Sequence, residues 1–112
     1  MNKEKLISVI LSTFNSEKTL EDSVKSILDQ TYKNIELLIM DDCSEDSTSE
    51  ILKKIKENHK NVKLFKNETN QGLTKSLNKL ITKSSGDLIA RQDSDDISPV
   101  SYTHLRAHET GY

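Results

Sequence analysis

The 112-residue chain predicts an α/β fold, an open and mostly parallel sheet with helices on both faces. Three observations predict it. Short, nearly continuous apolar blocks alternate with segments whose apolar residues recur at helical spacing, giving the rhythm β-α-β-α-β-α-β. Such unbroken apolar blocks are what strands covered on both faces require, and right-handed crossovers then place one helix in each connection. Finally, every polar cluster with chemical promise falls where a strand runs out at its carboxyl end, where open α/β sheets bind ligands.

The first block, Leu6 to Leu11, is followed by a loop, Ser12-Thr13-Phe14-Asn15. Leu20, Val24, Ile27 and Leu28 then form one helical stripe, with Ser16 placed to cap it and Glu17 in its first turn. Ile35 to Met40 is a second strand, closed by Asp41-Asp42. Ser47 can cap a helix carrying Ile51, Leu52 and Ile55, and Asp46 offers an alternative cap. Val62 to Phe65 is a shorter third strand. Asn70-Gln71-Gly72 turns into a helix striped by Leu73, Leu77, Leu80 and Ile81, which Ser84-Ser85-Gly86 ends. Asp87 to Gln92 is the fourth strand.

The length allows one domain. A formal charge of -2 gives no electrostatic case for nucleic acid, and 30% charged residues with clustered apolar blocks describe a soluble globular chain. No apolar run reaches membrane-span length and no signal peptide is visible, so membrane association is expected only through regions outside this chain. Cys43 is the single cysteine and has no partner for an internal disulfide, which points to a reducing, cytoplasmic compartment.

Asp93-Ser94-Asp95, followed by Asp96, carries the chemistry. Carboxylates at i and i+2 of an extended chain project to one side, and such hard oxygen ligands suit Mg²⁺ or Mn²⁺ with phosphate oxygens completing the shell. An acidic triplet is commonly a solvated or capping turn, but this one follows a buried strand. Asp42 can accept from a base N–H or a ribose hydroxyl. Phe14 is either core or a ring stacked on a planar base. Asn15 is expected to tie its loop through hydrogen bonds to backbone. Gly72 reads as a turn residue with positive φ; neither a Walker loop nor G-x-G-x-x-G is present, so no phosphate cradle is assigned. Cys43 reads as structural and His59 as an exposed helix end.

After Pro99 the pattern is lost. Val100 to Thr110 resembles, residue for residue, one translated frame of the transposase adapter used in short-read sequencing libraries. Residues 100–112 are therefore expected to be a non-native tail, the reading frame having run from a truncated gene into adapter. His104 and His108 have the i, i+4 spacing of a zinc pair, but no third ligand lies nearby and the segment is excluded from fold reasoning.

Taken together, Ser8 to Asn15, Ser26 to Tyr32, Ile39 to Ser44, Asn70 to Asn78 and Gly86 to Asp96 resemble the family 2 glycosyltransferases of the GT-A fold. The resemblance covers nearly everything from Leu6 to Pro99, so residues 1–99 are expected to form the N-terminal, Rossmann-like nucleotide-binding part of such a domain, incomplete in this chain. It implies a nucleotide-sugar donor, usually UDP-linked, and inverting, metal-dependent transfer to a glycan or lipid-linked acceptor. The AT-rich coding suggested by frequent Lys and Asn hints at a bacterial surface polysaccharide, made at the inner face of the membrane.

By motif match, the resemblance gives Ser12, Thr13, Phe14, Asn15, Asp42, Gly72, Asp93 and Ser94 to substrate. Ser12 and Phe14 line the base pocket, Asp42 pairs with the base, and Asp93 faces ribose and metal. Asp95, with Asp93, holds the Mg²⁺ or Mn²⁺. Departures are Ser12 for the usual Pro, Phe14 for Tyr, Cys43 for Gly, and Leu80 at a position that is often Gly. Family members carry the acceptor site and general base after the Asp-x-Asp motif, so no catalytic base is assignable here. A nucleotide-binding fragment without catalysis is the alternative. A phosphoacceptor receiver fits poorly, since it needs its acidic pair after the first strand and a phosphoacceptor Asp after the third, where Ser12-Thr13 and Lys66-Asn67 stand.

Overall fold

The computed structural model describes residues 5–29 and 32–93, with the backbone alone at Asp93. In chain order these form β1 (Ile7–Thr13), α1 (Leu20–Leu28), β2 (Ile35–Asp41), α2 (Thr48–Asn58), β3 (Val62–Lys66), α3 (Leu73–Lys83) and β4 (Leu88–Asp93). The expected rhythm is present, and all three strand pairings are parallel. Strand order is β3-β2-β1-β4. The chain thus steps outward from β1 to β3, then returns to set β4 on the other side of β1. The direction of winding reverses between β1 and β4, and a crevice at such a point is where open sheets take ligands.

Both faces of the sheet are covered. Val9, Leu11, Leu37 and Ile39 pack beneath α1 and α2, against Leu20, Val24, Ile27 and Leu52. Their sequence neighbours Ile10, Leu38 and Met40, with Ile89 of β4, face α3, against Leu77 and Leu80. Because side chains alternate along a strand, burial on both sides demands an apolar residue at nearly every position, hence the unbroken blocks. Strand β3 lies at the sheet edge and exposes Lys63 and Lys66.

Several boundaries and caps differ from expectation. Ser12 and Thr13 belong to β1 rather than to a loop, because neighbouring strands continue to pair them: Thr13 stands opposite Asp41 and Ser12 opposite Asp93. Helix α1 begins at Leu20, and Ser16 does not cap it. The Ser16 carbonyl takes the N–H groups of Thr19 and Leu20 in a preceding turn, while its hydroxyl donates to the Phe14 carbonyl. Ser47 occupies the N-cap of α2 without a side-chain bond. The Asp46 carboxylate accepts the Thr48 N–H instead, at 2.9 Å.

The amino end of the sheet is closed by a buried charge. Glu36 accepts from the Ser8 hydroxyl (2.6 Å), the Ser85 N–H (2.6 Å) and the Lys63 ammonium (2.9 Å). Ser8 Oγ in turn accepts the Gly86 N–H at 2.8 Å, so β1, β2, β3 and the turn into β4 meet at one carboxylate. Burial pushes the Glu36 carboxyl up, but Ser8, Ser85 and Lys63 together outweigh it and hold the group below the ordinary glutamate value. Asp42 and Asp46 are also held low. A carboxyl lowered by folding contributes stability above its unfolded value and loses it as pH falls through the folded one. Thermal midpoints are therefore expected to hold from neutral pH down to about 4.5 and to fall below that, less steeply in Glu36→Gln.

Candidate functional site at the carboxyl edge

The carboxyl ends of β1, β2, β3 and β4 bring the predicted residues to one rim of the sheet. Its centre is Asp42, the residue after β2, which is 3% exposed. Its backbone N–H extends the sheet by donating to the Thr13 carbonyl at 2.8 Å. Its Oδ1 accepts from the Gln71 N–H (2.7 Å) and from Asn67 Nδ2 (2.9 Å), and its Oδ2 accepts from the Gly72 N–H (2.9 Å). Burial alone would raise this carboxyl; the Gln71, Asn67 and Gly72 donors and the Lys79 charge hold it below the usual range, so it is an anion at neutral pH.

Gly72 has φ +89, as the turn reading required, and open space where a Cβ would stand. It is glycine for its backbone conformation, which turns its N–H onto Asp42 as α3 begins. Asp41, by contrast, serves its own loop, accepting from the Ser44 N–H and the Ser49 hydroxyl.

The loop after β1 faces the loop after β2. Asn15 sits in the left-handed region (φ 47), with Oδ1 accepting the Glu45 N–H at 2.7 Å and its own N–H donating to Ser44 Oγ. That cross-link is the side-chain-to-backbone tie expected of Asn15. It leaves Phe14 standing out at 44% exposure. Phe14 belongs to neither core cluster among the described residues. Cys43 also has positive φ (64), the conformation that glycine adopts without strain. The Cys-for-Gly departure thus lies at a position whose backbone favours glycine, and the Cys43 thiol points to the Glu68 carbonyl at 3.4 Å.

At the winding reversal, Ser12 of β1 lies directly beside Asp93 of β4. Thr13 presents its carbonyl to the rim, while its side chain is buried on the face of α1 and α2 and its hydroxyl has no partner among the described residues. Ser94 and Asp95 lie outside the described residues, as do His104, His108 and the tail. Among the described residues no three acidic, His or Cys side chains gather as a metal cluster. Asp93, the last residue of β4, is the one member of the expected Asp93–Asp95 pair whose backbone is described. A groove of about 520 Å³ between the length of α1 and the C-terminal half of α2 has mixed charge, and none of the rim residues lines it.

Residues 8–103 match the model of glycosyl transferase family 2. The chain belongs to that family. The match extends past Pro99, to residue 103. The chain is 46% identical over 99 residues to the putative glycosyltransferase EpsE of Bacillus subtilis, covering 88% of this chain and 36% of EpsE. It is 40% identical over 92 residues to WfgD of Escherichia coli, a UDP-Glc:alpha-D-GlcNAc-diphosphoundecaprenol beta-1,3-glucosyltransferase, covering 82% and 36%. The chain spans about a third of the length of the curated relatives it matches. Among solved structures, S. aureus TarS in complex with UDP-GlcNAc aligns with a TM-score of 0.74 at 34% identity, over 80% of this chain and 26% of that one. A mannosyltransferase from Pyrobaculum calidifontis in complex with GDP-Man and Mn²⁺ aligns at 0.80 over 87% of this chain and 29% of that one; at 23% identity it speaks to the fold alone. The fold is the GT-A glycosyltransferase fold.

The sequence pointed to Asp42 but missed the side chains that surround it. Buried Asn67 and Ser76 form a network behind it, which the exposed Lys79 joins through its ammonium. A signal existed for Asn67, since it is the first residue after β3 and the carboxyl-end rule applies to every strand.

Proposed function

We propose that the protein transfers a sugar from a UDP-linked donor, with inversion, to a glycan or lipid-linked acceptor in cell-surface polysaccharide synthesis. The observation that carries this reading is the rim itself: Ser12 beside Asp93 at the winding reversal, with exposed Phe14 and anionic Asp42 on the same edge. Phe14 stacks on the base with Ser12 beside it, Asp42 accepts a base N–H, Asp93 faces the ribose and metal, and Ser94 lies at the metal turn. Asp95 and Asp93 hold Mg²⁺ or Mn²⁺, which when bound offsets the charge developing on the departing diphosphate. The acceptor hydroxyl needs a general base, and none of the rim residues is assigned that role. Among the described residues no helix is long and apolar enough to cross a membrane. Work at the cytoplasmic face, on lipid-linked acceptors such as the one in WfgD's name, is part of this proposal.

Calorimetric titration of UDP with Mn²⁺ tests the donor site. Wild type is expected to bind in a metal-dependent way, and Asp95→Asn to bind at least about tenfold more weakly, near 1.4 kcal/mol. Equal, metal-independent affinity in both would remove the metal assignment. We also propose that residues 100–112 are translated adapter; resequencing beyond the Pro99 codon tests this, and the same tail in genomic DNA would refute it.

A further inference from the structure

We propose that Asn67 is a positioning residue that restricts Asp42 to a single base N–H, and so selects uracil over guanine in the donor. This rests on the reading of Asp42 as the base acceptor. An ionised carboxylate offers about four lone-pair positions, two on each oxygen. Among the described residues, Oδ1 of Asp42 already takes two donors, the Gln71 N–H and Asn67 Nδ2, and Oδ2 takes one, the Gly72 N–H. One position remains, on Oδ2.

Uracil presents a single N–H on its pairing edge, between two carbonyl oxygens. Guanine presents two parallel donors there, ring N–H and amino N–H, which a free carboxylate takes side by side, one on each oxygen. The second donor needs a position on Oδ1, and Asn67 Nδ2 fills it. Adenine and cytosine turn an unprotonated ring nitrogen toward the carboxylate, lone pair against lone pair.

The Asn67 amide is held in the orientation this requires. Lys79 Nζ donates to its Oδ1 at 3.0 Å, and its Nδ2 also donates to Ser76 Oγ at 2.9 Å. An ammonium only donates and a carboxylate only accepts, so turning the amide over would set donor against donor and acceptor against acceptor. Asn67 is 4% exposed and Ser76 fully buried, so water does not readily replace the bonds among Asp42, Asn67 and Ser76, whereas the Lys79 bond is partly exposed. The other two donors to Asp42 are backbone groups, which leaves Asn67 as the side chain that sets the count.

The test compares UDP and GDP binding, with Mn²⁺, to the full-length protein carrying this chain, as wild type, Asn67→Leu and Lys79→Met. Wild type is expected to bind UDP at least about tenfold more tightly than GDP. Asn67→Leu, which cannot fill Oδ1, is expected to narrow that ratio to within about threefold, and Lys79→Met, which frees the amide to turn, to narrow it less. A purely structural role would weaken both nucleotides alike, so an unchanged ratio overturns the assignment, as does a wild type that prefers GDP. If Asn67→Leu does not fold, Asn67→Ala decides by the same ratio. A wild type that binds neither nucleotide overturns the donor-site reading itself.

Discussion

Asp42→Ala is expected to cost about 3–5 kcal/mol of folding stability and to abolish UDP binding together. Removing the carboxylate strands the Gln71 N–H, the Gly72 N–H and one hydrogen of the Asn67 amide in a region where Asp42 itself is 3% exposed. A donor left without a partner costs about 1–3 kcal/mol, toward the low end for the partly buried Gln71 and Gly72 N–H groups, and relief of the desolvated charge offsets part of the sum. Urea unfolding reads the first effect and calorimetry the second. A variant as stable as wild type would mean that the turn before α3 closes without its carboxylate. Asp42→Asn keeps the shape and one acceptor oxygen, so its loss of stability is expected to be smaller while binding still fails.

Gly86→Ala is expected to be nearly as damaging, about 3–4 kcal/mol, although it lies at the opposite end of the sheet. A Cβ there would stand 2.5 Å from Ser8 Oγ, 2.6 Å from the Ser8 nitrogen and 2.8 Å from the Leu6 carbonyl oxygen. Two of these are backbone atoms of the strand and its approach, so the turn must move rather than a side chain swing away. Moving it breaks the Gly86-to-Ser8 and Ser85-to-Glu36 bonds, and leaves the Glu36 charge less well paired. Thermal unfolding of the variant checks this, and a midpoint within a degree or two of wild type would show that the turn has slack. Gly86 is thus glycine for room, whereas Gly72 is glycine for its dihedral angles.

Local signals in the sequence carried the element order, because two-sided burial leaves an unbroken apolar block and one-sided burial a helical stripe. They also carried Asp42, Phe14 and Asn15 to one rim, since strand ends are visible where apolar blocks stop. What was not legible depends on partners distant in sequence. Glu36 reads as an ordinary polar residue within a strand; its meaning comes from Ser8 and Ser85, 28 and 49 positions away. Ser16 has the look of a cap, yet its N–H is taken by Thr48 Oγ1 and α1 starts a turn later. Asn67 was hidden because a lone Asn after a strand is also a common turn residue.

The order β3-β2-β1-β4 has a consequence for how the molecule assembles and opens. Strands β1 to β3 are joined by consecutive short connections, while β4 finds β1 from far along the chain, the Leu6 N–H meeting the Asp87 carboxylate across 81 positions. Contacts of such long sequence separation form late in folding and are among the first to come apart. Strand β4 carries Asp93 at one end and is fastened at the other by the Glu36 knot, about 20 Å away along six extended residues. Transient release of that far fastening would withdraw the Asp93 end of β4 from Ser12 while β1 to β3 stay folded, so the pairing at the carboxyl rim depends on bonds at the opposite end of the sheet.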